Sequence, residues 1–267
     1  IEQQGLLTNE LKEDILKQTK LQRVEDLYRP FKQKKKTRAT EAKRKGLESL
    51  AQWISDGQQG ELSQKAEAYI NDEVATVDKA IQGALDIIAE HVSDNPKYRS
   101  RILKDIYRQG NIVTAKKKKA DDEKETFAMY YDYVEPIKNV ANHRVLAMNR
   151  GEKEKVLSVK VEFDTQQVAS AIEKNEVKSN NPHGDYIKLA IEDSLKRLIM
   201  PSIEREIRAD LTEKAEQHAI EVFSENLNHL LLQPPMKGKQ ILGVDPAFRT
   251  GCKPVSYTDL TLPTNRE

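Results

Sequence analysis

The sequence predicts a mainly α protein: a multi-helix domain with a long spine helix and a small β insertion, ending in the first strand of an incomplete α/β domain. Three observations carry this. Apolar residues recur at spacings of three and four along most of the chain. One such stripe continues for about eight turns between Asp185 and Leu232. Only two internal segments, 111–115 and 156–164, break that rhythm.

Leu21, Val24, Leu27 and Tyr28 form a short first stripe that Pro30 ends or bends. Thr40 is read as the start of a second helix, with Leu47, Leu50, Ala51 and Ile54 inward, stopped by "SDGQQG" at 55–60. Thr76 suits the N-cap of a third, carrying Ile81, Leu85, Ile88 and Val92, with Asp78 in its first turn. Ile102, Leu103 and Ile106 follow after Pro96. "NIVTA" reads as a short strand, and "VLSVKVEFD" as a half-buried one, since its valines and Phe163 fall two apart. From Ile187 the spine runs to Leu198, meets Pro201 at a kink or restart, and continues from Ile203 through Leu230. Pro234 and Pro235 end it, which places a domain boundary near residue 236. Residues 241–245 then form an apolar strand that delivers Asp245 to a turn.

Composition narrows the function classes. With 37% apolar, 33% charged and 6% aromatic residues, the chain fits helices with wide solvated faces. No apolar run approaches the roughly 18 residues of a membrane span, and no signal peptide opens the sequence, so no membrane partner and a cytoplasmic location are expected. Cys252 is the single cysteine, which excludes an internal disulfide and a thiolate metal cluster. The opening "IEQQGLLTNEL" reads as the tail of one helix before a new start at Thr8, so an incomplete N-terminus is expected.

A net charge of +1 hides strong patterning. Between Arg29 and Lys45, "RPFKQKKKTRATEAKRK" holds nine Lys or Arg against Glu41 alone, a net +8. Arg29, Lys32, Lys34, Lys35, Lys36, Arg38, Lys43 and Arg44 are therefore the candidate nucleic-acid-binding residues, because cations at this density neutralise phosphates and release counterions. A merely solvated charge run is the competing reading. Tyr28 and Phe31 flank the block as base-stacking candidates or as anchors of the turn. The "KKKK" at 116–119 is followed at once by "ADDEKE" and largely cancels.

The five histidines, at 91, 143, 183, 218 and 229, offer no i, i+4 pair on one helix, so no metal is expected and a structural or surface role is. In "NHRVLAMNRGE", Gly151 is read as a helix-ending αL cap beside a charged cluster of His143, Arg144, Arg150 and Glu152. No nucleophile triad, phosphate loop or dinucleotide fingerprint is present, and no cofactor is expected. "GVDPAFRTG" has the form of the first strand and turn of an RNase H-like or resolvase-like fold, where Asp245 would be one of several metal-binding carboxylates. One Asp cannot hold two metals, and the later acids Asp259 and Glu267 lie on no credible second strand.

The segments "VEDLYRPFKQKKKTRATEAKRKGLESLA", "AIQGALDIIAEHVSDN", "HRVLAMNRGEKEKVLSV", "DSLKRLIMPSIEREIRADLTEKAEQHAIEVFSENLNHLLLQPP" and "ILGVDPAFRTGCK" resemble, in order and spacing, the bacterial Tex family of transcription accessory proteins. The resemblance covers residues 1–253 and implies a non-enzymatic, multidomain RNA-binding protein, with a helical N-terminal region ahead of resolvase-like, helix-hairpin-helix and OB-type domains. It implies RNA above DNA as partner, with the transcription machinery as a second partner class. It marks His143, Arg144, Arg150, Glu152, Arg197, Arg205, Asp245 and Arg249 as motif positions. On this basis residues 1–236 are the helical region, 237–253 the start of a resolvase-like domain, and 254–267, "PVSYTDLTLPTNRE", a tail outside the family pattern that is expected to be disordered. A metal-dependent nuclease and a protein-binding scaffold are the rival readings.

Overall fold

The computed structural model describes residues 1–19, 21–32, 36–118, 120–178, 180–234, 240–247 and 251–257. It is 65% helical. Residues 1–216 form one compact unit and 217–267 a second.

In the first unit the chain begins with α1 (Asn9–Leu16), where the Leu11 N–H donates to Thr8 Oγ1, and α2 (Leu21–Tyr28). Next comes α3 (Arg38–Arg44), whose cap is Thr37 rather than Thr40. Thr40 stands at the third helical position, and the two threonines exchange backbone N–H bonds in a capping box. Following it, α4 (Glu48–Asp56) ends at Gly57, whose φ of 69° only a residue without Cβ adopts freely. Then come α5 (Leu62–Glu67), α6 (Val77–Asp94) and α7 (Pro96–Gln109). The caps of α6 and α7 are Thr76 and Asn95, and Pro96 occupies the first position of α7, where a missing N–H costs nothing.

The core gathers around α6, which touches α3, α4, α5, α7 and α10 (Gly184–Asp193). Its buried Ala80, Gly83, Ala84 and Ala89 let neighbours approach, while Leu85, Ile87, Ile88 and Val92 fill the spaces between. Each large aliphatic side chain so buried is worth about 1.5–3 kcal/mol. At Gly83 a Cβ would lie 2.4 Å from Leu47 Cδ1 and 3.3 Å from Ala42 Cβ, so α3 crosses α6 nearly backbone to backbone.

The β insertion is a three-stranded antiparallel sheet of order β2-β1-β3, from β1 (Asn111–Lys116), β2 (Asp132–Pro136) and β3 (Leu157–Glu162). Val113 faces both Val134 and Lys160 across the ladders. Between β2 and β3 runs α8 (Asn142–Lys153), and α9 (Gln166–Glu176) follows the sheet. Gly151 is not the expected cap: it is buried inside α8, where a Cβ would meet Leu157 and Phe127 at 2.6–3.0 Å. Lys155 takes the positive φ instead.

From Gly184 the helical run continues for 48 residues. After α10 it passes through a π turn at Ser194–Ile199 into α11 (Met200–Leu231). Pro201 neither breaks nor restarts it. The proline cannot donate to the preceding turn, and the chain answers by widening that turn, with the Met200 N–H bonding to Leu195 O. Of α11, only Ile203, Ile207 and Ala215 are buried, so the helices collect on α6 and not along the whole of the long helix.

The second unit holds the C-terminal part of α11, on which Ile220, Phe223, Leu227 and Leu230 are exposed, and a hairpin of β4 (Ile241–Ala247) and β5 (Gly251–Tyr257). The division between units falls within α11, upstream of the proline pair. Pro254–Tyr257, expected to be unpaired tail, pair with Leu242–Val244 and Ile241. In a two-stranded ladder both strands are edges, so Pro254 opposite Val244 costs no interior hydrogen bond. Residues 258–267 lie outside the described ones.

Candidate nucleic-acid interface

The basic block starts where α2 runs into a 3-10 turn, Arg29–Phe31, with Pro30 in its first turn. Lys34 and Lys35 lie outside the described residues. At α3, Ala39 and Ala42 are buried three residues apart, and this turns the small face of the helix onto α6 and its charged face outward.

The cations of the block have different fates. Arg29 is half-buried and donates to Ser202 Oγ at 3.4 Å. Burial and the neighbouring Arg99 lower its pKa from the usual arginine value. Arg44 bonds Glu41 at 3.3 Å and Glu73 at 2.9 Å, which raise its pKa. Lys43 lies 3.5 Å from Glu48. Lys32, Lys36 and Arg38 are exposed and form no salt bridge with a described residue. Solvent-facing positive charge therefore concentrates at Lys32, Lys36 and Arg38.

Arg38 and Lys36 also stand at the mouth of a cleft of about 450 Å³ between α3, α6 and the turn at Asn71–Val74. Its acids make their direct ion pairs with other arginines, Glu41 and Glu73 with Arg44 and Asp86, only 7% exposed, with Arg197 at 3.2 Å, while Arg38 and Lys45 act on Asp86 and Glu73 through space. Burial pushes the Asp86 carboxyl above its ordinary range despite that arginine.

The family-motif positions do not converge. Arg197 is bidentate to Asp193, with Nε 3.0 Å from each carboxylate oxygen, and also reaches Asp86, so it ties α6 to the π turn. Arg144 joins α8 to β2 through Glu135 at 2.6 Å and the Tyr133 hydroxyl at 2.9 Å. Glu152 accepts two bonds from Arg208, which also reaches Asn149 Oδ1 and the Val159 carbonyl. With the Val161 N–H donating to Glu204 at 3.0 Å, α11 side chains thus satisfy the outer edge of β3. His143 is exposed, Arg150 pairs with Glu154, and Arg205 donates to Pro201 O on the surface. Asp245 is exposed on β4 opposite Lys253, and Arg249 lies outside the described residues. His183 is structural: it is buried against the Trp53 ring at 4.4 Å, with Nε2 2.9 Å from Gln58 O.

Sequence reasoning missed a buried ionic network. Arg99, 1% exposed, lies 2.9 Å from Asp26 and 3.5 Å from Glu206, and donates to Ser202 Oγ at 3.3 Å. Arg23 adds contacts to Asp26 at 3.3 Å and Glu206 at 3.8 Å. Asp26 is the one buried residue of α2, so that helix is seated by charge. The signal was available in Arg99 itself, which precedes Ile102, Leu103 and Ile106 on the apolar stripe of α7.

Among the described residues no three His, Cys, Asp or Glu come together as metal ligands. No helix among them is long and apolar enough to cross a membrane.

Comparison with known proteins adds an independent line. The family described as Tex central region-like matches residues 58–223. An uncharacterised protein of Bacillus subtilis, YdcI, is 53% identical over 95% of this chain and 36% of its own length. Protein tex of Bordetella pertussis is 32% identical over 98% of this chain and 35% of its own length. The human S1 RNA-binding domain-containing protein 1 is 29% identical over 95% of this chain and 27% of its own length. The chain thus spans about a third of the length of the curated relatives it matches.

Proposed function

Because the chain belongs to the Tex central region-like family, we propose that it is the scaffolding and nucleic-acid-binding part of a cytoplasmic, RNA-binding transcription accessory protein, with the surface over residues 29–45 as its contact. The observation that carries this reading is the set of exposed cations, Lys32, Lys36 and Arg38, that form no salt bridge with a described residue, on a surface that α3 turns outward. The names of relatives agree with it: one from Neisseria gonorrhoeae is a transcriptional accessory protein, and the human one an S1 RNA-binding domain-containing protein. RNA is the preferred partner and the transcription machinery a second. No catalysis is assigned, and Asp245 is read as a first-strand acid of a resolvase-like domain that begins at residue 237.

Replacing Lys34, Lys35, Lys36 and Arg38 by Gln tests the reading. The log-log salt slope of single-stranded RNA affinity should flatten by roughly two to three units, at about 0.7 per phosphate contact, while the fold stays intact. The same change at Lys116–Lys119, where acids adjoin, is the control. Equal losses from both variants would reduce the surface to generic charge, and no loss from the first would remove it.

A further inference from the structure

We infer that α1 and α2 form an arm that is latched to the body of the first unit by charge and opens from it as one piece, while the helices around α6 stay folded. The inference stands apart from the proposed nucleic-acid contact and does not depend on it.

Each later helix of this unit, from α3 to α11, places at least one buried apolar side chain in the core. The arm places none. No residue of α1 is buried, and the one buried residue of α2 is Asp26. Leu11, Ile15, Val24 and Leu27 are half-buried, yet none of them belongs to the apolar side chains that pack on the core. Leu16 at the end of α1 and Leu21 at the start of α2 are each 75% exposed. Helices that dock without burying apolar surface in the core are the ones that leave a fold at the lowest cost.

What crosses from arm to body is ionic. Among the described residues, the hydrogen bonds and ion pairs of the arm to the body beyond the turn Arg29–Phe31 come from two side chains: Asp26, 2.9 Å from Arg99 on α7, and Arg23, 3.8 Å from Glu206 on α11. Gln4 reaches only the Phe31 carbonyl of that turn, at 3.4 Å. The turn itself rests on α6 and is tied down by Arg29 on Ser202, so it marks where the arm ends. Arg23 also pairs with Asp26 at 3.3 Å and Arg99 with Glu206 at 3.5 Å, which closes a ring of alternating charge. The ring gives the arm one seated register, because any shift along α2 would set like charges against each other. It is nevertheless a weak clamp: the attraction gained inside is offset by the water these groups gave up, and opening returns that water to Asp26, Arg99 and Glu206.

Native-state hydrogen exchange of the whole chain, in denaturant below the unfolding transition, tests the arm. The amides of Glu25–Tyr28 and of the last turn of α1 should exchange through one shared, denaturant-dependent opening, with protection at least about tenfold below that of the buried turn Ala84–Ala89 of α6. Two variants separate the causes. Asp26→Asn keeps the shape and removes the charge, and should speed exchange of the arm about 10- to 100-fold, the loss of a hydrogen bond between charged groups. Ile54→Val, at a fully buried position of α4, weakens only the body; it should speed α6 about 2- to 10-fold and leave the arm unchanged. Arm amides protected as well as those of α6, or speeded equally by Ile54→Val, would show that the arm leaves only when everything unfolds and would overturn the inference. Exchange independent of denaturant, residue by residue, would reduce it to fraying. An arm unmoved by Asp26→Asn would show that charge is not the latch. Should Asp26→Asn fail to fold, the comparison of the unsubstituted chain with Ile54→Val still decides whether the arm opens separately.

Discussion

Arg99 shows how one residue can hold an element that apolar contact does not. Its partners Asp26 and Glu206 come from α2 and α11, and removing the guanidinium would leave two buried carboxylates with only the peripheral Arg23 as counter-charge. Arg99→Met should cost about 3–5 kcal/mol in urea denaturation, whereas a variant that replaces all three groups by apolar residues should recover most of it. The pH dependence of that loss is a sharper check. Burial, and then Asp26, raise the Glu206 pKa above its ordinary 4.5, so the folded state holds the proton more tightly and gains stability as pH falls through the raised value. The deficit of Arg99→Met should therefore shrink in acid. Glu152 behaves oppositely: the Arg208 bond lowers its pKa, so its stabilisation is full above 4.5 and lost as pH falls through the lower folded value. Glu152→Gln should flatten the acid limb of the Tm profile; a limb of unchanged steepness would mean that the pair contributes nothing.

At the scale of elements, legibility followed periodicity. β1 and β3 could be read because their inward residues alternate with outward ones, and α6 because Thr76 and an apolar stripe announce it. β2 could not, since its five residues expose Val134 and place Asp132 and Glu135 in the run, and it is made a strand only by pairing with β1. The π turn was illegible for a related reason: a sequence shows that Pro201 lacks a donor, but not whether the chain kinks or widens the preceding turn. Gly151 was misjudged as a cap because its real constraint is tertiary. Gly151→Ala should cost about 1–3 kcal/mol by pressing α8 against Leu157, and adding Leu157→Ala should return less of the loss than it removes in volume. A neutral Gly151→Ala measured by thermal melting would show that β3 has room to move.

For the whole molecule, the family and the α-rich class were legible because long, ordered motifs survive in the sequence. The proposed binding surface was legible only in part. A contiguous run displays its charge, yet it does not display that Arg29 is turned toward Ser202, that Arg44 is spent on Glu73, or that Lys79, from a different helix, faces Arg38 across a cleft. The last of these arises from the close crossing of α3 over α6 at Gly83, which no local pattern encodes. Catalysis belongs to the same scale. The chain should not cleave branched, single-stranded or duplex substrates with magnesium or manganese, since two-metal chemistry needs several converging carboxylates. Reproducible cleavage abolished by Asp245→Asn would reverse that assignment.

The central claim is that this unit meets phosphates through its exposed cations, and the salt dependence of single-stranded RNA affinity for the unsubstituted chain tests it most directly. Four to six contacts at about 0.7 each predict a log-log slope near −3 to −4. Affinity that stays flat as salt rises, or no measurable binding at low salt, would contradict it.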